Sequence, residues 1–336
     1  MLAAAGIGPG DEVIIPDYTF VSTALAVSYL GARPVFIDVD RTTWNIDLKL
    51  VEKAITPKTK AIIPVDIYGL PADMPKILAL AKKNNLLVLE DAAEALGAEI
   101  NGQKVGTETH AAIFSFYGNK TITTGEGGML VTNSKKIYER AKTLKEYGRD
   151  SKNRYISNLV GFNYRMTNLQ AAIGLGQLQR IKSVVKRKKE ILNLYKNGLK
   201  SVSGVIFQEI PRGISPSAWL ISLVINPKLF GLNKNELALK LNKAGIDTRI
   251  FFPPLHRQPI YQVKRHPDPE RAKRVGEEGS RWDNKINSFP VSDYLYANGL
   301  SLPSFPTLKN SEIKYICSII KKSKGKRQNS RLQVKS

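Results

Sequence analysis

At 336 residues, 42% of them hydrophobic, the chain can bury a large core and is too apolar to be a disordered protein. Its single cysteine, Cys317, excludes an internal disulfide and fits a reducing compartment. The three histidines (His110, His256, His266) lack ligand spacing, so no structural zinc site is expected. The net charge of +22 raises nucleic acid as a partner, but no helix-turn-helix, zinc-finger or aromatic RNA-binding signature accompanies it.

No apolar run reaches the ~20 residues of a membrane span. The opening "MLAAAGIGPGDEVIIP" has no basic n-region, so neither a membrane partner nor a signal peptide is expected, and the setting is read as cytoplasmic.

"DEVIIP" (11–16) reads as a strand and "FVSTALAVSYLG" (20–31) as a helix closed by Gly31. "PVFIDVD" (34–40) is a strand, 48–55 a short helix and "KAIIPVDIYG" (60–69) a strand. "DMPKILALAKKNN" (73–85) is an amphipathic helix opened by Asp73, and "LLVLEDAAEA" (86–95) a buried strand entering a turn. "AAIFSF" (111–116) and "GGMLVTN" (127–133) add two strands. Short apolar strands separated by helices predict an α/β fold, with a mostly parallel sheet covered on both faces.

A long helical region follows from Thr167 to about Lys200. Then come "WLISLVIN" (219–226), a helix over 233–245 and "IDTRIFFPP" (246–254), a mixture that predicts a smaller α+β domain. The expected organisation is a large domain over 1–200, a small one over 201–322 and a basic tail over 323–336. The polar stretch 263–288 is read as a surface loop. Seven basic residues in 182–200, opposed by Glu190 alone, read as the solvated face of a helix. Seven more in 321–336, with no acid, read as disordered. Such a surface could also attract an anionic small molecule.

Ligands of open parallel sheets sit outside the carboxyl ends of the strands. Asp91 stands at such an end after an apolar run, where a carboxylate is costly without a cationic partner; a helix cap is its bland alternative. Ser115 and Tyr117 lie near another strand end, and Lys120 follows just before the glycine turn "TTGEGG". Singly, such residues are more often structural. Together they form the set that pyridoxal phosphate requires: an imine-forming lysine, a carboxylate for the pyridinium nitrogen and a hydroxyl for the phosphate.

The segments "GIGPGDEVIIPDYTFVSTALAVSYLGARPVFIDVD", "LEDAAEALGA", "FSFYGNKTITTGEGGMLVTN", "VGFNYRMTNLQAAIGLGQLQRI", "PLHRQPIY" and "GLSLPSFPTL" carry a resemblance over nearly the whole chain. In order and spacing the chain resembles the DegT/DnrJ/EryC1/StrS aminotransferases, fold-type I enzymes that use pyridoxal phosphate on nucleotide-linked keto-sugars. Within that family it is most similar to the members that aminate GDP-4-keto-6-deoxymannose.

The resemblance implies that Lys120 bonds the cofactor and moves the proton, and that Asp91 partners the ring nitrogen. It places Glu94 beside the ring hydroxyl, Ser115 on the phosphate and Phe20 against the ring. Asn163 would reach the cofactor of the other subunit, which implies a homodimer with shared active sites. His256 and Arg249 would lie near the sugar nucleotide. Glutamate is the implied amino donor; since Lys120 is a lysine, transamination is favoured over the dehydration of histidine-bearing relatives. Asp66 departs from the histidine that relatives often carry.

Relatives also have a further segment before "LAAAGIGPGDEV", including a Gly-Thr turn that cradles the phosphate at a helix N-terminus. Weak cofactor binding and little activity are expected of the chain as it stands. A non-catalytic relative and a basic nucleic-acid-binding protein are the readings from other classes. The intact Asp91, Ser115 and Lys120 speak against the first, and the second rests on charge alone.

Overall fold

The computed structural model describes residues 1–149, 153, 155–262 and 288–325. The first half supplies strands β1 (Glu12–Pro16), β2 (Arg33–Ile37), β3 (Thr59–Ile62), β4 (Leu87–Asp91), β5 (Glu99–Ile100), β6 (Gln103–Lys104), β7 (Ala111–Ser115) and β8 (Gly128–Val131). Six of them form one sheet in the order β2-β1-β3-β4-β7-β8. All its pairs are parallel except β7–β8, which is antiparallel.

The apolar runs reflect burial on both faces. Val13 and Ile15 enter one core with Ala24 and Val27 of the helix Ser22–Ser28. Ile14, between them, enters the other with Val51 of Leu48–Ala54 and Ile77 of Met74–Lys83. Successive side chains alternate faces, so a strand covered on both sides needs apolar residues throughout. Asp73 caps the helix Met74–Lys83, its side chain accepting from Lys76 N.

The second half supplies β9 (Val205–Phe207), β10 (Ile214–Ser215), β11 (Ile221–Ile225), β12 (Arg249–Ile250) and β13 (Gly299–Leu302). Four of these form an antiparallel sheet in the order β12-β13-β11-β9, while β10 joins β5 and β6. The helices Lys234–Lys243 and Asn310–Ser323 share the core of the four-stranded sheet.

Several expectations are corrected. The helical region after Thr167 is two helices, Asn168–Leu178 and Ile181–Leu199. The second packs Ile191, Tyr195 and Leu199 into the core of the smaller sheet, so that core begins within this helix rather than at residue 201. Its basic residues are not simply a solvated face. Lys188 is 5% exposed and donates to Ser304 O at 2.7 Å, and Arg187 donates to Asn310 Oδ1 at 2.9 Å. Burial lowers the Lys188 pKa to about 8.

Of the run 321–336 read as disordered, Lys321 and Lys322 lie on the helix that ends at Ser323. Residues 263–287 of the expected loop, and the tail from 326, lie outside the described residues.

The two sheets are docked through one strand-end acid and one glycine. Asp38, just past β2, accepts from Val291 N, Ser292 N and Ser292 Oγ of the helix Pro290–Asn298. Gly69 has φ +90, and a Cβ there would lie 2.2 Å from Ser217 Oγ and 2.9 Å from Trp219 N. Only glycine combines that conformation with so close an approach.

Behind β4 lies a buried acid pair. Asp66 Oδ1 accepts from Ala72 N, and Glu90 Oε2 accepts from Gly106 N and Thr109 Oγ1. Asp66 Oδ2 and Glu90 Oε1 lack a donor if both acids are ionised. Burial first, then the Glu90 charge, push the Asp66 pKa well up, so Asp66 holds the proton that joins the pair.

A raised folded-state pKa gives stability that is complete below the unfolded pKa and is lost as pH rises through the folded one. Asp66→Asn supplies a permanent donor. It is expected to match the parent in acid and to exceed it by about 1–3 kcal/mol at alkaline pH. Urea denaturation at both pH values checks this; an equal difference at the two would sink it.

Candidate active site

Lys120 stands in the loop between β7 and β8, whose two ends are bonded to each other. Phe116 N donates to Gly127 O at 2.9 Å, Thr124 N to Phe116 O at 2.9 Å and Thr124 Oγ1 to Glu126 O at 2.7 Å. Gly125 (φ +80) and Gly127 (φ +150) make the turn; a Cβ on Gly127 would lie 2.5 Å from Thr124 Oγ1. The side chain of Gln177, on the exposed helix, bonds both Thr123 N and Thr123 O.

The lysine Nζ lies 3.8 Å from Glu94 Oε1 and 3.9 Å from the ring centre of Trp219. Glu94 is buried, and its other oxygen accepts from Tyr68 N at 2.6 Å. Burial raises the Glu94 pKa to about 7, against the lowering effect of Lys120.

Glu94 therefore carries charge only part of the time near neutrality. Stability due to its bound proton is present below about 4.5 and lost as pH rises through about 7. Glu94→Gln is expected to flatten that decline, by roughly 3 kcal/mol at most. Melting of the cofactor-free protein across this range checks it; an unchanged slope would refute it.

Asp91 closes β4, partly buried. Its Oδ2 accepts from Thr23 Oγ1 at 2.8 Å and its Oδ1 from Ala93 N at 3.2 Å. Burial raises its pKa, opposed by those two bonds and by the Lys120 charge. Ser115 ends β7, beside β4, and accepts from Tyr117 N at 3.3 Å. Phe20, in the segment after β1, is 53% exposed, touching Phe252 at 5.5 Å between ring centres. Phe20, Asp91, Glu94, Ser115 and Lys120 thus gather at the carboxyl edge of the sheet.

The other three candidates are placed differently. Asn163 is exposed, on a segment bridged to Glu146. Arg249 is exposed on β12 and lines, with Lys120, Lys188, Trp219 and Tyr315, a cleft of about 670 Å³ between the two sheets. His256 lies in an ionic network: Nδ1 meets Asp17 Oδ2 at 2.8 Å and Nε2 meets Asp293 Oδ1 at 3.3 Å. Burial alone would lower its pKa, but Asp17 and Asp293 raise it overall. Trp219 and Thr23 complete the site without having been singled out in the sequence. Among the described residues no cluster of His, Cys, Asp and Glu could hold a metal, and no helix is long and apolar enough to cross a membrane.

A lysine beside buried carboxylates at the carboxyl edge of a largely parallel sheet has the donor set of a pyridoxal-phosphate-dependent transferase. Residues 1–321 match the DegT/DnrJ/EryC1/StrS aminotransferase family, and the chain belongs to it. It is 40% identical to a GDP-perosamine synthase of Escherichia coli O157:H7, covering 95% of this chain and 80% of the relative. It is 41% identical to a GDP-perosamine synthase of Caulobacter vibrioides, covering 83% and 75%.

The fold superposes on S. venezuelae DesV with a TM-score of 0.85 at 31% identity, covering 97% of this chain and 81% of that one. On the PLP-form of Spr1654 from Streptococcus pneumoniae the score is 0.82 at 26% identity, covering 96% and 83%. The protein is a sugar aminotransferase with pyridoxal phosphate as cofactor, and its fold is the fold-type I architecture expected from the sequence.

Proposed function

We propose that the protein transfers the amino group of glutamate to a nucleotide-linked keto-sugar, with GDP-4-keto-6-deoxymannose as the acceptor. The observation that carries the site assignment is Lys120, held between Glu94 and Trp219 and attracted by Asp91 at the sheet edge. The acceptor is supported by the likeness to GDP-perosamine synthases of three organisms, at 37% to 41% identity.

The residues present fit the cofactor. Pyridoxal phosphate, when bound, supplies the electron sink that stabilises negative charge at a substrate carbon. Asp91, its carboxylate fixed by Thr23 and Ala93, would keep a proton on the ring nitrogen. Phe20 would lie against the ring, Glu94 beside the ring hydroxyl, and the Ser115 hydroxyl would donate to the phosphate. Lys120 Nζ would bond the cofactor at rest. Once freed, it would take the proton from the substrate carbon and pass it to the cofactor, the transfer that moves the amino group.

The active unit is a homodimer in which Asn163 serves the partner's site. The support is the helix Asn168–Leu178, which has no buried residue although Leu169 is 79% and Leu175 61% exposed. So apolar a face is characteristic of an interface. The setting is cytoplasmic, where nucleotide sugars and a reduced Cys317 are at home, and the product feeds surface-polysaccharide synthesis such as that of O-antigen.

Incubation with pyridoxal phosphate, glutamate and GDP-4-keto-6-deoxymannose tests the reading. Release of 2-oxoglutarate and an amino-sugar of the corresponding mass is expected. Amination of UDP- or TDP-linked keto-sugars alone would refute the acceptor and leave the reaction class standing.

A further inference from the structure

We propose that Trp219 is a positioning residue: its indole face seats the Lys120 amine whenever the lysine is not bonded to the cofactor. The proposal rests on Lys120 being the cofactor-bonding lysine. The ammonium lies 3.9 Å above the ring centre, within the range of a strong cation–π contact. Glu94 Oε1, at 3.8 Å, is long for a hydrogen bond, and its carboxyl is charged only part of the time near neutrality. The indole face is present at every pH. It is therefore the constant part of the seat.

The ring is itself firmly set. Trp219 is 4% exposed, and its Nε1 donates to Asn119 O at 2.8 Å, in the residue next to Lys120. The preceding Ala218 has φ +54, an uncommon conformation for a residue with a Cβ, and it turns the chain just before the ring. On the other side Ser217 N donates to Gly69 O and Ser217 Oγ to Glu94 O, both at 2.9 Å. One three-residue segment thus fixes the indole, the loop that carries the lysine and the backbone of the facing acid.

In catalysis the proton leaving the donor's carbon goes to Lys120 Nζ, which becomes an ammonium. A π-face already in place attracts that charge as it forms. A lysine without a seat would spread over its rotamers and lose its line to the carbon.

The test uses cofactor-free protein carrying 13C at the lysine ε carbons. The ring current of Trp219 is expected to move one ε-methylene signal upfield, and Lys120→Ala identifies it by its loss. Trp219→Phe keeps an aromatic face but removes the donor to Asn119, and should retain a shifted signal. Trp219→Leu should lose it, with a melting temperature showing that both variants fold. Pyridoxal phosphate should remove the shifted signal as the lysine is bonded.

In turnover Trp219→Leu should lower kcat about tenfold with KM for glutamate unchanged, while Trp219→Phe stays within about threefold. An unshifted Lys120 signal, or Trp219→Phe as impaired as Trp219→Leu, overturns the proposal. Borohydride fixation with peptide mass analysis separates the two claims. If another lysine carries the cofactor, the reading of Lys120 fails whatever the indole does.

Discussion

Lys120→Ala loses amino transfer by about a thousandfold or more, because one side chain performs two tasks. On the proposed assignment it would bond the cofactor at rest and carry the proton during each half-reaction. Among the described residues the cleft has one other lysine, Lys188, which is buried and donates to Ser304 O. The loop around residue 120 is held by its own backbone bonds and by Gln177, so the variant keeps the fold. Borohydride reduction followed by peptide mapping should find the cofactor on Lys120 in the parent and nowhere in the variant. A variant that still forms a reducible adduct and turns over would show that the lysine is misassigned.

Asp91→Asn is the second large effect, a loss of about two to three orders of magnitude in kcat with the fold intact. The asparagine oxygen can still accept from Thr23, so the hydrogen bond is replaceable while the charge is not. Burial already raises the Asp91 pKa, so removing its charge relieves the core rather than straining it. On the proposed assignment the ring nitrogen would lose its proton without that charge, and negative charge at the substrate carbon would be less well stabilised. Parallel measurement of kcat and thermal melting decides the matter. A variant within tenfold of the parent would mean that another group holds the nitrogen.

The main sheet was legible because burial on both faces leaves β1 and its neighbours unbroken in apolar character. Asp73 and the apolar period behind it announced the helix Met74–Lys83 for the same local reasons. The helix Lys135–Leu144 was not anticipated. It buries only Ile137 and Leu144, so its charged faces masked the period, although Ser134 caps it. β13 went unread as well: it is four buried residues between helices, too short to show an alternation.

The basic run after residue 182 misled because charge was read as exposure. Lys188 is held in the interior by a carbonyl of Ser304, in a segment more than a hundred residues away. The edge residues Asp91, Ser115 and Lys120 were legible from strand ends and a glycine turn. Trp219 was not, since its meaning depends on Asn119 and Lys120, 100 positions upstream in the case of the Asn119 bond.

The close fit of Gly69 against Ser217 and Trp219 constrains how relatives can be recombined. A chimaera joining the first half of one family member to the second half of another brings together a glycine and a tripeptide from different parents. If the first parent has any larger residue at position 69, the grafted 217–219 segment cannot seat, and both the indole and the Glu94 backbone are displaced. Exchanges meant to alter sugar preference should therefore transfer these positions as a linked set, with crossovers placed outside them.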